Sequence, residues 1–136
     1  RFMALALSSI TSYLLVLSYT PFIMKILVCG SRTWINRDVI REKLSDFTGD
    51  VTVIHGGARG ADSIAAEVSC DYGFEVITFY ANWEKWGRSA GVIRNLQMLE
   101  ENPDLVIAFW DGVSRGTAHT IKEAKKRKIP VIIVRS

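Results

Sequence analysis

The sequence has 136 residues, 49% of them hydrophobic and 23% charged, the balance of one globular domain. A net charge of +3 is too mild to imply nucleic acid without a localised patch. Two cysteines, Cys29 and Cys70, are too few for a disulfide scaffold. No CxxC pair or Cys/His cluster suggests a metal, so neither metal nor cofactor is expected, and a reducing cytoplasm fits.

Phe2 to Met24 carries no charge and is long enough to cross a bilayer. Ser8, Ser9, Thr11, Ser12, Ser18, Thr20 and Pro21 interrupt it. Arg1 supplies some of the charge that precedes a secretory signal, but the segment runs straight into a strand without an obvious small-residue cleavage site. Three readings stand: a membrane anchor, an extra packing helix, or an extension that the fold does not need. The last is preferred, with Met24 as the natural start, because the chain opens on Arg1. Residues 1–23 are therefore set apart as an apolar extension and 24–136 as the domain. Removing 1–23 is expected to leave a soluble folded protein, and a membrane partner is expected only if 1–23 form a genuine anchor.

Lys25 to Gly30, KILVCG, reads as a strand covered on both faces. Ser31 and Arg32 follow at its carboxyl end, where ligands gather in open α/β sheets. Ser31 offers a hydroxyl and Arg32 a planar fork for phosphate; the plainer reading is a turn residue and a solvated side chain. Trp34 either covers a base or plugs the sheet edge. Asn36 caps a helix running to about Phe47, with Val39, Ile40, Leu44 and Phe47 on its buried face.

Val51 to Ile54 is the second strand. His55, Gly56, Gly57, Ala58, Arg59, Gly60, Ala61 and Asp62 follow it, a donor-rich turn at the mouth of a helix. Asp62 caps that helix, bonds loop amides, or holds a ribose hydroxyl. The turn lacks the Gly-Lys-Ser/Thr of a Walker loop and the Gly-x-Gly-x-x-Gly of a dehydrogenase. The helix runs to about Tyr72, and Gly73 ends it. Phe74 to Phe79 is a third strand, in which the charged Glu75 suggests either an edge or a strand end.

Tyr80 to Gly91 reads as a loop in which Trp83 and Trp86 stand among Lys85, Arg88 and Ser89. The tryptophans either stack a base beside phosphate-binding cations or plug a small domain. A helix follows from about Ala90 to Glu100. Arg94, beside Asn95, sits near its start, where a cation does not help the helix, and so is a candidate for a ligand or ion pair. Asp104 to Phe109 is the fourth strand. The loop after it, Trp110 to Thr117, places Gly112, Arg115, Gly116 and Thr117 at the start of a helix reaching about Lys128. His119 reads as a packing or surface histidine. The basic run Lys122, Lys125, Lys126, Arg127, Lys128 suits the negative end of the helix dipole. Val131 to Val134 closes the chain as a fifth strand.

Five strands alternating with four helices imply a Rossmann-like three-layer α/β fold with a mostly parallel five-stranded sheet. Its carboxyl edge then gathers Gly30, Ser31, Arg32, the turn from His55 to Asp62, and the Gly112 to Thr117 loop. Three donor-rich loops at one crevice suit a nucleotide better than a lone anion.

The segments KILVCGSR, HGGARGAD, WEKWG with the G-x-x-R-N-x-x-M run through Met98, and SRGTAH together resemble the SLOG superfamily, in particular its small YspA/YpsA-related branch. The resemblance covers about Met24 to Ser136. It implies binding of nucleotides or nucleotide-derived ligands, and an association with phage or mobile elements. Relatives include cytokinin-activating phosphoribohydrolases, sensors of NAD- or ADP-ribose-derived signals, and the DNA-processing protein A group. Gly56, Gly57 and Gly60 match the first glycine loop; Gly112, Gly116 and Thr117 match the second. The phosphoribohydrolases carry Pro-Gly-Gly-x-Gly-Thr-x-x-Glu there, whereas this chain has Thr120 at the glutamate place.

The preferred reading is therefore a module that binds or senses a nucleotide-derived, ADP-ribose- or NAD-like ligand. Trp83 or Trp86 stacks the base, Asp62 meets the ribose, and Arg32, Arg115 and loop amides meet phosphate. The alternative is an N-glycosidic hydrolase with Asp62 as its catalytic residue. A nucleic-acid-binding module is a second alternative, and nucleic acid is not the expected partner. A homodimer is a fair expectation.

Overall fold

Five short apolar runs become the five strands of one sheet; the three inner ones are buried on both faces and so need a layer of helices above and below. The computed structural model of the chain describes residues 23–136. Its elements are β1 (Met24–Gly30), α1 (Arg37–Leu44), β2 (Val51–His55), α2 (Ala61–Asp71), β3 (Glu75–Thr78), α3 (Trp83–Trp86), a 3₁₀ turn (Gly87–Ser89), α4 (Ala90–Leu99), β4 (Leu105–Trp110), α5 (Arg115–Lys126) and β5 (Val131–Arg135). The sheet is parallel throughout, in the order β3-β2-β1-β4-β5. The expected Rossmann-like architecture is the one observed.

Alternation along the strands divides the core in two. Ile26, Val28, Val53, Ile107 and Phe109 point toward α1 and α2, where Ile40, Leu44, Ala65 and Val68 meet them. Leu27, Ile54, Val106 and Ala108 point the other way, toward Met98 and Leu99 of α4 and Ile121 and Ala124 of α5. β3 is an edge strand, one of the two readings of Glu75, and exposes alternate residues. β1 lies at the centre, with β2 on one side and β4 on the other. The chain order reverses between β1 and β4, and a crevice opens at the carboxyl ends of strands at such a point.

Several local expectations are refined. Asn36 caps α1, its Oδ1 accepting from Val39 N–H at 3.2 Å. The helix ends at Leu44 rather than Phe47, because Ser45 Oγ donates to the Glu42 carbonyl and the chain turns out. Phe47 packs on the core from the turn beyond. Arg37 and Arg41, expected in solvent, pair with Glu67 and Asp71 across the α1–α2 surface, where such pairs contribute little. Trp34 is buried, leans on Phe109 at 5.5 Å and donates its indole N–H to Asn36 O, so it plugs the sheet edge. The segment from Tyr80 to Gly91 is not an open loop. Asn82 Oδ1 accepts from Lys85 N–H, capping α3, and the 3₁₀ turn carries the chain into α4.

The readings of the apolar extension lie outside the described residues, Ile23 apart. Among the described residues no helix is long and apolar enough to cross a membrane.

Candidate functional site

A cleft of about 600 Å³ opens over the carboxyl edge where β1 and β4 part, a volume in the usual range for small-ligand sites. Its floor is Cys29 and Gly30. One wall is the β1 loop (Arg32, Thr33), with Ala58 and Asp62; a second is the β4 loop and the first turn of α5, from Asp111 to Thr120; the third is Trp83, Arg88 and α4.

The first glycine turn is held from within. Gly56 N–H donates to Asp62 Oδ2 at 2.9 Å, and Ala58 N–H reaches the same oxygen at 3.4 Å. The Gly56 carbonyl accepts from Arg94. A Cβ on Gly56 would fall within the Arg94 guanidinium, so only glycine lets the arginine lie flat on the turn. Gly60, at φ +77°, opens α2 with its α-carbon against the Ser31 and Arg32 carbonyls, and Ala61 N–H bonds Ser31 O at 3.1 Å. Gly57 N–H donates to His55 Nδ1 at 3.0 Å, leaving the ring hydrogen on Nε2 to meet Thr78 Oγ1 at 2.9 Å. Burial first, and then the Arg94 charge, lower the His55 pKa, which keeps the ring neutral.

Asp62 is nine-tenths buried. That burial pushes its carboxyl up to about 6, while the Gly56 and Ala58 amides, Arg94 and Arg32 pull it part of the way back.

The second loop is built differently. Asp111 Oδ1 accepts from Val113 and Ser114 N–H, each at 2.8 Å, and Oδ2 accepts from Ser114 Oγ at 3.0 Å. Those bonds, the Ser114 amide foremost, hold its carboxyl down at about 2. Ser31 ties the loops together, its Oγ accepting from Asp111 N–H at 2.9 Å and its N–H donating to Phe109 O. No side chain caps α5, whose first amides face the cleft.

Arg32, Arg88, Arg94 and Arg115 all line this cleft. Among the described residues none of the four makes an ion pair within 4 Å. Unpaired guanidinium groups beside a helix N-terminus form a field for an anion.

Of the residues expected at the site, Gly30, Arg32, Asp62, Trp83, Arg94, Asn95, Arg115, Gly116 and Thr117 line the cleft. Ser31, His55, Gly56, Gly57, Gly60 and Gly112 are not in its lining and belong to the loops around it. Trp83, half exposed, is on the cleft wall; Trp86 is not, and carries Lys85 over its ring at 4.7 Å. Sequence reasoning gave no site role to Thr33, Asp111 or Ser114, and read His119 as packing. Asp111 could have been found by its spacing, since an Asp followed two and three residues later by free amides is a common turn signal. Thr120 donates to Gly116 O at 3.2 Å. Cys29 is buried, and its thiol is pushed far up by desolvation, so it is an inert floor. Among the described residues no group of three His, Cys, Asp or Glu side chains is placed to hold a metal ion.

Residues 24–86 match the family described as YspA, cpYpsA-related SLOG. The chain is 40% identical over 117 residues to the Gene 61 protein of Mycobacterium phage D29, across 79% of this chain and 94% of that protein. Its fold is similar to the X-ray structure of DNA processing protein A (DprA) from Streptococcus pneumoniae, with a TM-score of 0.70 at 14% identity, over 84% of this chain. This chain spans about half of that protein, 51% of its length, and at such identity the likeness is one of fold. It nevertheless overturns one expectation. Nucleic acid was set aside as a partner on a mild net charge, yet a DNA-processing protein carries this same architecture, so net charge is no ground for setting it aside.

Proposed function

The chain belongs to the YspA, cpYpsA-related SLOG family, and from that premise we propose that it binds a nucleotide-derived ligand of the ADP-ribose or NAD type in the cleft between β1 and β4. Family membership carries the general nucleotide-related binding role; the ligand, its site and its fate are the proposal. One observation carries it: Arg32, Arg88 and Arg115 converge on the cleft and, among the described residues, make no ion pair within 4 Å. Phosphate oxygens would complete those forks and the open amides of α5. Trp83 offers a ring to a base. Asp62 spends Oδ2 on the turn and has its other oxygen for a ribose hydroxyl.

A hydrolytic reading has one observation in its favour. Asp62, with its carboxyl near 6 beside the cleft, is poised as an acid for glycosidic cleavage. Against it, Thr120 stands in the place of the phosphoribohydrolase glutamate and hydrogen-bonds its own helix. Binding without turnover is therefore preferred.

Calorimetric titration of the full chain with AMP, ADP-ribose, NAD and a short oligonucleotide tests this, with mass spectrometry of each ligand afterwards. We expect a nucleotide to bind and be recovered intact, and Arg32→Ala to weaken it by on the order of 10-fold. Free base in the cell would make the protein a hydrolase. Binding confined to the oligonucleotide, or an Arg32→Ala variant of unchanged affinity, would overturn the site as drawn.

A further inference from the structure

Two neighbouring side chains on α4 reach in different directions. Arg94 donates through Nη1 to the Gly56 carbonyl of the first glycine turn. Asn95 donates through Nδ2 to the Gly116 carbonyl at 3.3 Å, in the first turn of α5, and lies 3.4 Å from His119 Nδ1. The two are joined to each other, Arg94 Nε donating to Asn95 Oδ1 at 3.0 Å. Consecutive helix residues are turned by about 100°, so an adjacent pair addresses two separate loops where a pair one turn apart would address one. Asn95 is buried, with both ends of its amide engaged.

The bonds form one path: Asp62 to Gly56, Gly56 to Arg94, Arg94 to Asn95, and Asn95 to Gly116. No backbone hydrogen bond joins the two loops directly; Ser31 touches both, but from beneath the cleft. Arg94 differs from Arg32, Arg88 and Arg115, whose side chains make no hydrogen bond among the described residues. Much of its guanidinium is committed before a ligand arrives.

We infer that Arg94 and Asn95 are a positioning pair that couples the two ligand loops, so that ordering of the α5 turn by an anion also orders the first glycine turn. The inference rests on the ligand reading above only in naming the anion; the coupling itself is a property of the empty protein. Arg94 thus acts mainly through Gly56, and the direct charge contacts belong to the other three arginines.

The test is a double-mutant cycle on the full chain with Arg94→Ala, Asn95→Ala and the pair. It is read by ADP-ribose calorimetry and, without ligand, by amide hydrogen exchange at Gly57–Ala58 and Gly116–Thr117. A coupled pair is broken once. Each single variant should lose about 10-fold in affinity and the double about the same 10-fold, and either single change should speed exchange in both loops. Losses that multiply to about 100-fold, or faster exchange confined to each residue's own loop, would overturn the coupling. If the unmodified chain binds no ADP-ribose, the ligand reading fails, while the exchange arm still decides the coupling. If Asn95→Ala does not fold, Asn95→Asp replaces it. That variant keeps the acceptor for Arg94 and removes the donor to Gly116, so faster exchange at Gly57–Ala58 would again report coupling, and unchanged exchange there would refute it.

Discussion

The two loops at the cleft each turn on one aspartate, and the two aspartates are opposites. Asp62 is buried, and its carboxyl is raised to about 6 because desolvation outweighs the amides that bond it. Asp111 is only partly buried, and its carboxyl is lowered to about 2 because the Ser114 and Val113 amides favour the charged form and outweigh the desolvation that opposes them. The first loop is sewn to the protein interior; the second is folded on itself and leaves the start of α5 open. The glycines differ accordingly: a Cβ on Gly56, Gly57 or Gly60 of the first loop would meet close neighbours, whereas one on Gly116 at the start of α5 would meet open space.

The largest effect should come from forcing a side chain into the first loop. Gly60→Ala puts a Cβ at φ +77° against the Ser31 and Arg32 carbonyls, and should lower unfolding free energy by about 2 kcal/mol or more, read from a denaturant midpoint. A normal midpoint would mean that the loop yields easily, and the contrast between the loops would collapse.

The next effect is on pH. A carboxyl raised from 3.8 to about 6 favours the folded state fully below pH 3.8, and that contribution is lost as pH rises through about 6. The difference between the two limits is roughly 3 kcal/mol, so the folded state is less favoured by about that much at pH 7 than below pH 3.8. Asp111 works the other way: its contribution is present above pH 3.8 and lost as pH falls through about 2. Asp62→Asn should flatten the decline in stability between pH 4 and 6, and Asp111→Asn should soften only the acid limb. Thermal melts from about pH 2 to about pH 7 would separate them, and matching profiles for the two variants would erase the distinction.

The smallest effect sharpens the comparison at the cleft wall. Trp83→Ala should weaken nucleotide binding by on the order of 10-fold with little change in stability. Trp86→Ala, outside the cleft, should change neither. Equal losses at both would place the base elsewhere.

Much of the architecture was legible because alternating strand burial and helix caps are local signals. Asn36, Glu75 and the apolar runs placed α1, β3 and the sheet. What escaped the sequence was either too short or too distant. α3 has four residues, too few for a helical period, although Asn82 and its bond to Lys85 N–H were a readable cap. Trp34 was ambiguous because plug and lid differ only in what lies above the ring. The Ser31–Asp111 bond joins residues 80 positions apart, so no local pattern foretold it. Arg94 was singled out because a cation is misplaced near a helix start, and the carbonyl of Gly56 explains what holds it there.

The pairing of β1 with β4 also has a consequence in time. Ile26 through Gly30 gains its β4 partners only once Leu105 through Phe109 has been made, and closing so long an interval is the slow kind of contact. A chain growing from its N-terminus has the first glycine turn before there is anything to set opposite it. Only when the second loop arrives do the two walls of the cleft face each other, at nearly the moment the sheet is whole.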